Sequence, residues 1–433
     1  MQATQSVAWW RNNGNINQEH MESRMKVRIH RGTQQIGGTC IELAAAGDRI
    51  ALDFGLPLDG EATDSSLVPE IGGDDLRAII ISHPHIDHYG LLHHLSGATP
   101  VVMGNAARRI VQAAAPFTGQ PLPALNGPEL EHGKPIDIGA FRITPYLVDH
   151  SAYDAYSFLI EAEGKRIFYS GDFRAHGRKA KLYEHVVANP PKDIDALFME
   201  GSSLSRLELD ESFPTESDLE AEIVAHLKSA EGMVMFHTSA QNIDRVVTLY
   251  RACKRTGRPL IIDLYAAAIL AATENKNIPQ SDWPGIHLYL PRLQAIQVKK
   301  NEWFPLLKQH SANRIHKEQL KQIGKNAVIL FRPLMRPDLD EAGCLDKASY
   351  IYSQWAGYLE QGTYASTEEW LKTMGIEMRH IHTSGHASPK DLKRFAEALA
   401  PRALIPIHSF ATEKYSELFS NVVQRQDGVW WEV

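Results

Sequence analysis

The sequence predicts an α/β protein in which a strand-rich first half is followed by a Rossmann-like second domain. Three observations predict it. Short apolar runs divided by glycine turns fill the region from Lys26 to Glu200. From near residue 206, strand and helix patterns alternate at the lengths of parallel crossover units. The length of 433 residues also exceeds what one ordinary core serves. In order, Val27-Arg28-Ile29, Cys40 to Leu43 and Ile50 to Leu52 read as strands separated by Gly37-Gly38 and Gly47-Asp48. Ala78 to Ile81 reads as a buried strand, and Asn105 to Phe117 as a helix with Ala106, Ile110, Val111 and Ala114 on one face. Phe141 to Val148 precedes a hairpin of Ser157 to Glu161 and Arg166 to Tyr169, and Ala196 to Met199 ends at Glu200. Thr215, with Asp218 three residues on, is positioned to cap a helix carrying Leu219, Ile223 and Leu227. Met233 to Phe236, a helix from Ile243 to Cys253, and Leu260 to Ile262 complete the first crossover. A strand from His380 to His382, a helix opened by Ser388-Pro389, and a strand from Leu404 to Ile407 close the chain's pattern.

Composition narrows the class. Lys and Arg number 45 against 52 Asp and Glu, a net charge of −7, so the chain cannot coat nucleic acid indiscriminately. Hydrophobic residues at 43% argue against disorder. Three scattered cysteines, Cys40, Cys253 and Cys344, exclude a disulfide framework and fit a reducing compartment. No apolar run approaches the roughly 18–20 residues of a membrane span, so a cytoplasmic protein without membrane contact is expected. Residues 1–24 lack the apolar core of a secretion signal and read as a flexible extension, with Met21 or Met25 as an alternative start. Charge is uneven along the chain. Asp193 to Glu222 holds ten acids and a single base, Arg206, whereas Ile286 to Arg336 holds ten bases and two acids, with Trp303 and Phe304 among them.

The chemistry concentrates in Ser82-His83-Pro84-His85-Ile86-Asp87-His88, directly after a buried strand. Residues two apart in an extended segment point the same way, so His83 and His85 can share one metal. Asp87 and His88 fall where the chain begins to coil and can face a second. Imidazole and carboxylate donors without thiolate suit zinc, or manganese.

This motif resembles that of the metallo-β-lactamase superfamily. The resemblance implies further ligands at His150 in Val148-Asp149-His150-Ser151 and Asp172 in Ser170-Gly171-Asp172-Phe173, with Asp53 in Leu52-Asp53-Phe54-Gly55 orienting the site. Glu200, His386 in Ser384-Gly385-His386-Ala387, and His408 in Pro406-Ile407-His408-Ser409 look like motifs A, B and C of the β-CASP nucleases, ribonuclease J-like members above all. The implied architecture is a metallo-β-lactamase αββα sandwich over residues 25–205 and 376–433, with a Rossmann-like β-CASP domain inserted over 206–375. Two departures stand out: Ser409-Phe410 follows the motif C histidine where relatives often carry Gly-Glu, and no further domain is expected after Val433.

What the resemblance implies is a zinc-dependent ribonuclease acting on single-stranded RNA, exonucleolytic or endonucleolytic, with 5′-phosphate and 3′-hydroxyl products. His83, His85, His150 and Asp172 would hold one Zn2+ and Asp87, His88, Asp172 and His408 the second. Asp87, His386, Glu200 and Asp53 form the expected catalytic set, His386 acting on the phosphate or leaving oxygen, Glu200 and Asp53 fixing imidazole tautomers. Ser384, Gly385, Thr238, Ser239, Lys317 and Lys321 are assigned to the nucleic acid, the two lysines as part of a basic wall. Histidine at motif C favours RNA over the DNA of repair or defence nucleases. A small-molecule ester or lactone hydrolase would leave Glu200, His386 and His408 without a joint purpose, and an inactive scaffold would be expected to lose ligands. His93, His94, His132 and His185 read as structural, and a homodimer fits the family.

Overall fold

The computed structural model describes residues 24–95 and 97–433. The expected flexible extension lies outside these residues except for Arg24, which pairs with Glu432 at 3.0 Å. Among the described residues the chain forms three sheets. The first is built from β1 (Lys26–Arg31), β2 (Cys40–Ala45), β3 (Asp48–Leu52), β4 (Leu76–Ile80), β5 (Val101–Gly104) and β6 (Glu129–Leu130), paired in that order. The second carries β7 (Ile136–Ile138), β8 (Phe141–Val148), β9 (Ala155–Ala162), β10 (Lys165–Tyr169) and β11 (Ala196–Glu200), again paired in order. The third is wholly parallel: β12 (Val234–His237), β13 (Leu260–Ile262), β14 (Ile286–Tyr289), β15 (Arg314–Ile315), β16 (Val328–Phe331), β17 (Ser349–Tyr352) and β18 (Met378–His380). Its strand order is β15-β14-β13-β16-β12-β17-β18. The chain then returns: β19 (Ala403–Ile407) pairs parallel with β11, and β20 (Trp430–Glu432) pairs antiparallel with β1.

Alternation along the strands explains the layers. In β11, Ala196 and Phe198 face a core shared with the first sheet (Ile41, Ile50, Ile80), while Leu197 and Met199 face the opposite way. That outer face is covered by helices Ala180–Ala188 and Pro389–Leu399 through Tyr183, Val186, Leu392 and Phe395. In β4, Ile80 points into the shared core and Ile79 outward onto helix Asn105–Thr118, which contributes Ala107 and Val111. The result is a helix–sheet–sheet–helix sandwich. Ile110 and Ala114, on another face of the same helix, join the core of the third sheet, so one helix serves both cores.

The sequence's expected strand from His380 to His382 lies two residues earlier, at Met378–His380. Ile381 still donates to Tyr352 O, but Ser353 Oγ then takes the Ile381 carbonyl and the chain leaves the sheet. The residues so freed form the loop that reaches His386. The Thr215 cap is present as a reciprocal pair with Asp218. All three cysteines are free and buried. Among the described residues no helix is long and apolar enough to cross a membrane.

Candidate metal centre

The candidate residues gather where several strands end side by side. Asp53 follows β3, His83 follows β4, Asp172 follows β10, Glu200 closes β11 and His408 follows β19. Register places Tyr169 opposite Phe198 and Glu200 opposite Ile407, so the ends of β10, β11 and β19 are neighbours. His150 leaves the end of β8, which runs in the same direction because β9 is antiparallel to both β8 and β10.

Three groups form there, each with donor atoms within 4.8 Å of one another: His83, His85 and His150; Asp87, His88, Asp172 and His408; and Asp172, Glu200 and His386. In the first, His85 Nδ1 lies 3.2 Å from both His83 Nε2 and His150 Nε2. In the second, Asp172 Oδ2 lies 3.2 Å from His88 Nε2 and 3.5 Å from His408 Nε2, and is 3.7 Å from His83 Nε2. Asp87 Oδ2 is 3.7 Å from His88 Nε2 and 3.8 Å from His408 Nε2.

The outer hydrogen bonds decide the tautomers. Asp53 accepts from His88 Nδ1 at 2.8 Å, and the Gly385 carbonyl accepts from His150 Nδ1 at 2.6 Å. Ser82 Oγ gives its proton to Asp53 (2.8 Å) and therefore accepts from His83 Nδ1 (3.0 Å). Carboxylate and carbonyl oxygens only accept, so each of these imidazoles carries its proton on Nδ1 and turns a lone pair inward from Nε2. Asp53 is fixed in turn by Tyr169 Oη at 2.5 Å and Ser82 N at 2.7 Å, with its own backbone left-handed at φ +58°. His408, also left-handed at φ +50°, sets Nδ1 3.0 Å from Thr39 Oγ1.

Inward lone pairs on a carboxylate-bearing cluster have no mutual hydrogen bonds to make. His88 Nε2, His408 Nε2 and Asp172 Oδ1 are buried without a hydrogen-bond partner. A buried polar atom left so costs roughly 1–3 kcal/mol, and a cation removes the cost for all three. Nitrogens about 2.0–2.1 Å from a tetrahedral zinc would stand about 3.3 Å apart, close to the spacing around His85. The donor set therefore fits divalent metal. Burial lowers the basicity of His83, His150 and His408 and takes His85 to about 4, which keeps them neutral ligands. Burial opposes charge on His88, yet Asp172, Asp87 and Asp53 outweigh it and raise its pKa. Asp172 is held far below the usual carboxylate range: burial works against this, and the imidazoles of His408, His88 and His386 prevail.

His386 Nδ1 stands 3.3 Å from Glu200 and 3.2 Å from Ser202 Oγ. Glu200 also accepts from Ser202 N and Oγ, at 3.1 and 3.0 Å. The loop carrying His386 is tied down from behind. The Ser384 carbonyl accepts from Arg174 Nη1 at 3.1 Å and meets His176 Nε2 at 2.9 Å. Arg174, wholly buried, reaches Asp244 (2.6 Å), Glu216 (3.4 Å) and Asp149 (3.4 Å), and Arg245 reaches Glu216 (3.1 Å) and the Thr383 carbonyl (3.2 Å). Two glycines fit close approaches here. A Cβ on Gly55 would fall 1.7 Å from the Asp87 carbonyl, and one on Gly385 would fall 2.6 Å from Ser151 Oγ and 3.3 Å from the His150 ring. Gly385→Ala is therefore expected to push the loop off His150 and weaken metal affinity about 10–100-fold, measured by chelator competition, with an unchanged far-ultraviolet circular dichroism spectrum.

Other assigned residues lie apart. Thr238, buried at the end of β12, donates to the Ser353 carbonyl at 3.1 Å, and Ser239 accepts from Gln241 N, while the helix cap falls later, at Asn242. Lys317 and Lys321 sit on helix Lys317–Gly324 behind β15, the far edge of the third sheet, and Lys317 is paired with Glu341 at 2.8 Å. The structure does not bring them to the cluster. Ser409, at the departure from the family pattern, is buried and donates to the Gly201 carbonyl, whereas Phe410 is exposed. His93 and His94 bond the backbone carbonyls of Gly90 and Ala62. Sequence reasoning missed Thr39, Ser82, Tyr169, Arg174 and Ser202. Ser82, Arg174 and Ser202 lie within two residues of a motif residue, which was the available signal.

A histidine- and aspartate-lined pocket at the strand ends of an αββα sandwich defines the metallo-β-lactamase class. Residues 61–247 match the model of the beta-lactamase superfamily domain. The chain is 23% identical over 442 residues to ribonuclease J of Helicobacter pylori strain 26695, covering 92% of this chain and 59% of that protein. It is 21% identical to ribonuclease J of Mycobacterium tuberculosis H37Rv, covering 89% and 68%. A crystal structure of a protein of unknown function from Enterococcus faecalis V583 superposes with a TM-score of 0.76 at 21% identity, covering 95% of this chain and all of that one. Residues 61–247 thus match a beta-lactamase superfamily domain, and over most of its length the chain is similar to the ribonuclease J proteins. It spans about 59% of the length of the Helicobacter relative.

Proposed function

We propose that the protein is a metal-dependent nuclease that hydrolyses single-stranded RNA in the cytoplasm, with two zinc ions, or manganese, held by the cluster. The observation that carries this reading is that His83, His88 and His150 each turn a lone pair inward at the cluster, fixed from outside by an acceptor at Nδ1. In the proposed site His83, His85, His150 and Asp172 would hold one ion, and Asp87, His88, Asp172 and His408 the other. Two such ions supply an activated water and neutralise charge on the phosphate oxygens. The ribonuclease J names of the relatives supply the substrate class.

The protein's own groups do the rest. Asp53, Ser82, Thr39 and the Gly385 carbonyl hold the imidazoles in register, so little reorganisation accompanies the reaction. Glu200 and Ser202 engage His386 Nδ1, leaving Nε2 to meet a phosphate or the leaving 3′ oxygen. The decisive experiment pairs metal analysis with end-labelled RNA and DNA bearing a 5′-monophosphate or 5′-triphosphate. The expected result is about two zinc or manganese ions per chain and cleavage of RNA in preference to DNA, with His85→Ala lowering both metal content and cleavage. Full metal content and undiminished activity in His85→Ala would end the proposal, and a preference for DNA would replace RNA as the substrate.

A further inference from the structure

Arg206 is the single base in the acidic stretch from Asp193 to Glu222. Despite its many acidic neighbours in sequence, among the described residues no carboxylate lies within 4.0 Å of its guanidinium. Its Nε donates to the Ser202 carbonyl at 3.2 Å, and the hydroxyl of that same serine touches His386 and Glu200. One end of the guanidinium is thereby anchored one residue from the cluster, and the Nη fork is left for another acceptor. Arg206 is solvent-exposed, so its Nη groups are open to an acceptor from solution.

Two loop aromatics stand beside Arg206, Phe213 before helix Glu216–Ser229 and Trp355 after β17. The guanidinium carbon lies 6.0 Å from the Trp355 ring and 6.0 Å from that of Phe213. Trp355 meets Tyr358 edge-on at 5.4 Å. Trp355 is held flat against Gly357, where a Cβ would fall 2.3 Å from its ring. Tyr358 is exposed beside it. An unpaired guanidinium facing two rings, one pre-set by a glycine, matches one nucleotide: an anionic phosphate with a stacking base.

We infer that Arg206, Trp355 and Tyr358 form a nucleotide station beside the metal cluster, Arg206 taking the phosphate next to the scissile one and the rings taking its base. The assignment rests on the nuclease reading and adds to it the residues that grip the strand at the cut.

The test uses the full-length, metal-loaded protein. KM and kcat are measured on end-labelled single-stranded RNA, and Kd is measured by fluorescence anisotropy on a phosphorothioate RNA over a salt series. Arg206→Ala is expected to raise KM about tenfold or more with kcat within about threefold, and to reduce the slope of log Kd on log salt by about 0.7, the share of one phosphate on a single strand. Arg206→Lys should recover part of both. Trp355→Ala and Gly357→Ala should raise KM about tenfold on normal RNA and far less on RNA with an abasic residue at the nucleotide beside the cut. Unchanged KM and slope in Arg206→Ala overturn the station. So does an equal loss on bis(p-nitrophenyl) phosphate, which offers no neighbouring nucleotide, or a loss of metal, since either would make Arg206 a support of the cluster alone. If the wild-type protein cuts no RNA, the nuclease reading falls and the anisotropy series judges the station separately. If it cuts RNA while Kd ignores Arg206 and Trp355, only the station falls.

Discussion

Replacing Asp172 with alanine is expected to abolish the second ion and cut phosphodiester hydrolysis on the order of 10³-fold, the scale of removing a preorganised electrostatic group. No other side chain approaches so many of the others. Its Oδ2 lies between 3.2 and 3.7 Å from nitrogens of His88, His408, His83 and His386. Without it the imidazoles lose their shared countercharge. Asp172→Asn keeps the shape and loses the charge, so it separates the two contributions. Equal defects in both variants would assign the effect to charge, and a mild Asn variant would assign it to packing. Metal content by atomic emission and hydrolysis of labelled RNA provide the readouts.

The second large effect concerns stability. Arg174→Met should cost about 3–5 kcal/mol, because it strands Asp149, Asp244 and Glu216 as buried carboxylates short of a partner. Glu216 allows a sharper form of the test. Burial alone would raise its pKa, yet Arg245 and Arg174 bring it down from 4.5 to about 2. A depressed carboxylate stabilises the fold above its unfolded pKa and loses that contribution as pH falls through the folded one. Glu216→Gln should therefore destabilise by about 3 kcal/mol at neutral pH, with the deficit shrinking below pH 4.5 and disappearing near pH 2. Denaturant titrations of wild type and variant across that range measure it, and a deficit independent of pH would deny Glu216 its charged role.

The residues that gather at the cluster were legible because they lie together in sequence or follow readable strands. His83 to His88 come straight after an apolar run, and Asp53, Asp172, Glu200 and His408 each trail a strand whose alternation is visible. The inserted sheet was harder to read. Lysine and arginine crowd residues 286–336 and hide β14 and β15, which are four and two residues long. Val328–Phe331 is apolar throughout, and such a run cannot be told from a buried helix segment by periodicity. Thr39 was invisible for another reason. Its importance comes from a partner 369 positions away, His408, and a single sequence carries no record of such a pairing.

The return of β19 to lie beside β11 has a consequence for synthesis. His408 leaves the ribosome more than two hundred residues after the segment it completes, and it stands 206 positions from Ser202, whose hydroxyl contacts its carbonyl. At about 5–20 residues per second this delay is roughly 10–40 s. Throughout that interval the nascent polypeptide shows β11 as a bare edge and carries Asp87, His88 and Asp172 without His408. Translation thus schedules the cluster, which stays incomplete until β19 has emerged.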